Sequence, residues 1–107
     1  MTAWLKPFFY KGYATRELHL YDESIEHFKK VLCIDPNHIA ALLQMSYSLC
    51  SLKRYEEALI TLNKVIEICP DWNNYMQRAA IKKSLDDLEG AKLDEDTAGK
   101  MAHDFPY

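Results

Sequence analysis

The chain repeats itself, and that constrains its fold more than any other feature. YDESIEHFKKVLCIDPN at 21–37 is echoed by YEEALITLNKVIEICPD at 55–71. A shift of 34 residues lays Leu18 on Leu52, Tyr21 on Tyr55, Ser24 on Ala58, Phe28 on Leu62, Val31 on Val65, Ile34 on Ile68 and Pro36 on Pro70. A shift of 33 then finds a weaker third copy, with Leu52 on Leu85, Tyr55 on Leu88, Ala58 on Ala91 and Val65 on Ala98. One such unit cannot bury its apolar face alone, so the copies must stack on one another.

Each copy holds two helical patterns. In the second, Leu42, Met45, Leu49 and Leu52 recur at spacings of three and four, which marks one face of a helix. Lys53-Arg54 interrupts, and Tyr55, Ala58, Leu59, Leu62, Val65 and Ile66 resume the period. Cys69-Pro70-Asp71 ends it, because proline disfavours helix in the residue before it. Asn37 and Asp71 are good N-caps for the helices that follow. No stretch alternates with a strand period over a useful length. The expected fold is all-α: six helices in three hairpins, over about 5–37, 38–71 and 72–102, with a tail at 103–107.

Small and large residues sit where such hairpins need them. Ser24, Ala58 and Ala91 on the second helices, and Gly12, Ser46 and Ala79 on the first, suit close helix approach. Phe28 and Leu62 are bulky enough to fill the space between hairpins, but the third copy has Glu95 at that position. This weakens the expected packing of the last helix.

The period, together with Gly12, Tyr21, Phe28 and IDPN at 34–37, then Tyr55, EEAL at 56–59 and Pro70, resembles the tetratricopeptide repeat family. YMQRAAIKKSLDDLEGA at 75–91 looks like a common variant of the same repeat. The resemblance implies an α-solenoid wound as a right-handed superhelix, with first helices lining a concave surface. It implies a module that binds another protein, as a short peptide or helix, and does no chemistry. Carried over one at a time, the family's concave positions fall on Phe9, Tyr10, Tyr13 and Arg16, on Leu43, Gln44, Tyr47 and Cys50, and on Met76, Gln77, Ala80 and Lys83. That lining is aromatic and aliphatic, with amides at its middle and Arg16 and Lys83 towards one edge. It suits an apolar peptide or helix with an acidic flank. Members that clamp chaperone C-termini place cations around a terminal carboxylate. The matching positions here are Phe9, Tyr13, Gln44, Asn73 and Gln77, none of them basic, and a clamp of that kind is not expected.

Other functions find little support. Net charge is −3, with no general attraction to nucleic acid. Seven acids against two bases at 85–107 make an acidic end on a slightly basic body. Cys33, Cys50 and Cys69 are odd in number and form no CxxC pair, as expected of reduced thiols in a cytoplasmic protein. Cys33 and Cys69 are expected to be at least half-buried. The opening MTAWLKPFFYKGY lacks the apolar run of a secretion signal, and no stretch is long and apolar enough for a membrane span.

His19, His27, His38 and His103 are dispersed and read as surface residues, without the ligand spacing of a zinc site. No phosphate-binding loop, nucleophile–base arrangement or cofactor motif is present, so no enzymatic activity, metal or cofactor is expected. DDLE at 86–89 suits a helix start, where acids interact well with the helix dipole, and DED at 94–96 reads as a solvated face.

A second reading concerns the ends of the array. Trp4, Leu5, Phe8 and Phe9 form a concentrated apolar set with no helix before them, and an uncovered patch often marks an interface. On that reading the chain is a structural protein that self-associates through its ends. FPY at 105–107 is an apolar tip that could dock in the groove or on a neighbour.

Overall fold

The computed structural model describes residues 5–103. Trp4 and the tip at 105–107 lie outside the described residues. Six α-helices follow one another: α1 (Leu5–Glu17), α2 (Tyr21–Ile34), α3 (Ile39–Ser51), α4 (Tyr55–Ile68), α5 (Trp72–Ser84) and α6 (Leu88–His103). They pair as three hairpins, α1 with α2, α3 with α4 and α5 with α6. The hairpins stack through α2 on α3 and α4 on α5. The result is an α-solenoid, with no strand among the described residues.

Each hairpin turns in the same way. His19, Lys53 and Asp86 take φ of 63°, 61° and 62°. Each donates its N–H to the carbonyl three residues back (Arg16, Cys50, Lys83), and the next residue donates to the carbonyl five back (Thr15, Leu49, Lys82). This is the Schellman ending of a helix, which satisfies carbonyls that have no partner within the helix. A left-handed residue at the same place in each copy fixes the reversal that brings the two helices together.

The core follows the repeat. Ile25, Leu42, Leu49, Ala58, Leu62, Val65, Ile66 and Ile81 form one buried cluster across α2 to α5. Phe28, Val31 and Ala41 form a second towards α1. Phe28 explains Gly12: a Cβ there would lie 2.7 Å from the Phe28 ring. Ser24 takes the place of alanine at a closely packed position, and its hydroxyl bonds that of Ser48 at 2.7 Å across α2 and α3.

Several details differ from the sequence reading. Leu5, Phe8 and Phe9 do not form an uncovered patch; they are half-buried against the Phe28 cluster, because α1 lies across α2 and the start of α3. Helix α3 is capped by His38 rather than Asn37: the His38 Nδ1 accepts from the Ala41 N–H at 3.0 Å. The His38 ring also stacks at 5.3 Å from Phe9, so it is not a plain surface residue. Asp71 stands at the N-cap of α5 without a side-chain bond. Asp87 does cap α6, accepting from the Gly90 N–H at 3.0 Å. Cys33 is exposed, while Cys50 and Cys69 are half-buried.

The largest departure is in DED. Asp94 is not solvated but buried, at 4% exposure. Its carboxylate takes Arg78 Nε at 2.9 Å and Nη2 at 2.7 Å. Lys82 Nζ adds a contact at 3.0 Å. Arg78 Nη1 reaches Asn63 of α4 at 3.0 Å, so one guanidinium joins α4, α5 and α6. Glu95 pairs with Lys83 at 3.1 Å instead of filling an apolar gap. The last helix is therefore held by ion pairs where the earlier copies use apolar packing.

Candidate functional site

The odd-numbered helices share one side of the solenoid, and a groove of about 600 Å³ opens there. Arg16 of α1 forms one wall. The floor is Leu43, Gln44, Ser46, Tyr47 and Cys50 of α3, and Gln77, Ala80, Ile81 and Ser84 of α5 form the other wall. Spacings of three, four and seven put these residues on one stripe of each helix. Tyr55, the first residue of α4, reaches the same space from the hairpin turn.

The groove is more apolar than polar and has few charges. Leu43, Ala80, Ile81 and the tyrosine rings supply apolar area, while Gln44 and Gln77 bring amides that both donate and accept. Arg16 carries the only charge among the described lining residues. Its guanidinium carbon lies 5.1 Å from the centroid of the Tyr13 ring and 4.6 Å from that of Tyr47. Contact with two electron-rich faces holds the group in place at the groove wall.

The structure brings Arg16, Leu43, Gln44, Tyr47, Gln77 and Ala80 together around this space, with Cys50 beside them. Tyr13 touches the groove through Arg16 and is 42% exposed. Phe9 turns away from it to pack edge-on against Phe28 at 5.8 Å and against the tilted His38 ring, so its role is packing. Tyr10 and Met76 are exposed outside the lining. Lys83 is drawn off to Glu95 of α6.

Tyr55, Ser46, Ile81 and Ser84 were not expected in the lining. Ser46 and Ser84 were findable, because they lie on the same helical stripes. Tyr55 had no such signal, because it belongs to a second helix.

Burial pushes the Cys50 thiol above its ordinary pKa, so at neutral pH it is a neutral lining group rather than a thiolate. Among the described residues no group of three or more His, Cys, Asp or Glu is placed to hold a metal ion. None of the described helices is long and apolar enough to cross a membrane. The arrangement offers apolar surface and hydrogen-bonding groups.

Comparison with known proteins bears on the family and the fold. Residues 17–81 match the tetratricopeptide repeat family. The chain is 29% identical over 82 residues to an Hsp70-Hsp90 organizing protein of Triticum aestivum, which is 76% of this chain and 14% of that protein. It thus spans only a small part of this curated relative's length. Among solved structures, MamA from Desulfovibrio magneticus RS-1 superposes with a TM-score of 0.85 at 26% identity, covering 91% of this chain and 55% of that one. The first repeat domain of Spaghetti (RPAP3), bound to the HSP90 peptide SRMEEVD, also gives a TM-score of 0.85. At 21% identity, covering 98% of this chain and 84% of that one, it shares the fold.

Proposed function

The chain belongs to the tetratricopeptide repeat family, and we propose that it is a protein-interaction module that takes a partner peptide or helix in the groove between α1, α3 and α5. The observation that carries this reading is the groove itself. Its volume falls within the roughly 300–1,000 Å³ usual for binding pockets. Its lining pairs apolar area with amides suited to a peptide main chain. Tyr47 is 54% exposed beside it, and an aromatic ring on a rigid helix is an efficient anchor for a partner. On this reading the module is an adaptor or scaffold in the cytoplasm, and not an enzyme. The chaperone-tail mode does not extend here, since Phe9, Tyr13, Gln44, Asn73 and Gln77 supply no cation.

The test compares partner capture by the wild type with three variants. Tyr13→Ala with Tyr47→Ala removes the anchors, and Ala80→Trp fills the groove. Ile60→Ala changes an exposed apolar residue on α4, outside the lining. The first two variants should lose the partner, with helical content nearly unchanged, and the third should keep it. Loss on Ile60→Ala with retention on the groove variants would move the binding surface elsewhere.

The reading in which the array self-associates through its ends draws on α6, whose Leu88 and Leu93 are 67% and 68% exposed. It requires a mass that rises with concentration and falls on Leu93→Glu.

A further inference from the structure

The three arginines of the chain allow an internal comparison. The side-on edge of a guanidinium, Nε with Nη2, matches the two oxygens of a carboxylate. In Arg78 both atoms of that edge bond Asp94, at 2.9 and 2.7 Å. In Arg54 both bond Glu57. In Arg16 only Nη2 is engaged, by Glu17, and Nε is buried without a hydrogen-bond partner among the described residues. The one arginine whose edge is half filled is the one in the groove wall.

The partner that Arg16 does have is a weak one. Glu17 is its sequence neighbour and is 55% exposed, and ion pairs of that kind contribute little. The cation is nevertheless held firmly, by Tyr13 and Tyr47 and by burial to 14% exposure. A fixed cation with an unfilled edge, in a groove with no acid among its described lining residues, is complementary to an incoming anion. The present occupant of Nη2 is a side-chain carboxylate, so the edge accepts that group.

Resting on the groove reading above, we propose that Arg16 is the seat for an acidic side chain of the bound segment. An Asp or Glu of the partner displaces Glu17 and takes both Nε and Nη2. Apolar neighbours of that acid lie along Leu43 and Ala80. The module therefore selects segments with an acid flanked by aliphatic residues.

The experiment follows the Nε–Hε signals of Arg16, Arg54 and Arg78 by nitrogen-15 NMR on the full chain. The probes are three N-acetylated peptides, two with amidated C-termini, Ac-Leu-Glu-Leu-NH2 and Ac-Leu-Gln-Leu-NH2, and one with a free terminal carboxylate, Ac-Leu-Leu-Leu-OH. The glutamate peptide should move the Arg16 signal saturably, at about tenfold lower concentration than the glutamine peptide, because a charge-assisted fork is the stronger bond. Arg54 and Arg78, whose edges are filled, should stay in place. Glu17→Gln, which opens the fork at an exposed position, should lower the half-saturation concentration.

An Arg16 signal that moves no more than those of Arg54 and Arg78 would overturn the seat. Tighter binding of Ac-Leu-Leu-Leu-OH would overturn the side-chain assignment in favour of a terminal carboxylate. Ala80→Trp separates this result from the groove reading. If the peptides shift the Gln44 and Gln77 amides in the wild type but not in that variant, and Arg16 stays silent, the groove stands and the seat falls. If the Arg16 response is unchanged in Ala80→Trp, the seat stands without the groove.

Discussion

The second and third hairpins share one geometry and are held by different physics. In the second, Met45 of α3 and Thr61 of α4 occupy the places that Arg78 of α5 and Asp94 of α6 occupy in the third, 33 residues on. Met45 packs against an apolar cluster, and Thr61 satisfies its own hydroxyl on the Glu57 carbonyl at 2.9 Å. The third hairpin buries an ion pair at the same level and adds Lys82 and Asn63 to it. The apolar version is insensitive to pH and forgiving of small changes in shape. The ionic version depends on each partner being present, because a buried charge left alone is costly. It also fixes α6 in register through directional bonds, where α6 has little apolar area to offer.

The first way to break this comparison is to damage the apolar side. Phe28 is fully buried against Gly12, with Phe9 across its edge. Phe28→Ala should cost about 3–5 kcal/mol, the usual range for such a truncation. Urea unfolding followed by circular dichroism would show a lower midpoint, with the loss the same at pH 7 and pH 4. A loss that grew at low pH would mean that the first hairpin also relies on titrating groups.

The ionic side should give a smaller loss that depends on pH. Asp94 is pulled in two directions: burial raises its pKa, while the bonds from Arg78 and Lys82 lower it, and the net direction is down. A carboxyl depressed in the folded state is protonated first in the unfolded chain. Its stabilisation is therefore present above the ordinary aspartate pKa of about 3.9 and is lost as pH falls through the folded value. Asp94→Asn should cost about 2–3 kcal/mol at pH 7, somewhat under the range for a fully buried pair because Arg78 keeps some solvent contact.

The difference between Asp94→Asn and wild type should then shrink steadily below about pH 4. The double change Arg78→Met with Asp94→Thr installs the pair of the second hairpin and should recover most of the loss. If it recovered nothing, the two hairpins would not be interchangeable at this level.

Much of this architecture was legible in the sequence, and the reason is physical. Periodic small and large residues such as Gly12, Ser24, Phe28 and Leu62 report shape, and shape repeats wherever the geometry repeats. Arg78–Asp94 was not legible, because charged residues at helical spacing usually face solvent, and only the fold shows that these two meet. His38 was hidden by Asn37, a better cap by type but one residue too early. In the groove, helical phase identified stripes but not that Phe9 packs into the Phe28 cluster while Arg16 stands at the wall. Tyr55 reaches the groove because the three-residue turn places the start of α4 beside α3, and no periodicity encodes that.

The smallest expected effect concerns the three turns, where the copies differ in sequence but not in conformation. A left-handed backbone costs a residue other than glycine about 1–2 kcal/mol. This position after a helix is most often glycine for that reason. Here the chain uses His19, Lys53 and Asp86. His19 offsets part of the cost, since its ring bonds the Tyr21 hydroxyl at 2.8 Å and packs edge-on against that ring.

Lys53 has no comparable contact among the described residues, and its N–H bond to the Cys50 carbonyl is kept whatever the side chain. Lys53→Gly should therefore raise stability by up to about 1 kcal/mol, the relief of strain being reduced by the greater freedom of glycine in the unfolded chain. His19→Gly should gain less or nothing, because it removes the bond to Tyr21. Matched thermal melts of the two variants would settle the order. Equal gains would mean that the His19–Tyr21 contact adds nothing, and that the first turn is strained to the same degree as the second.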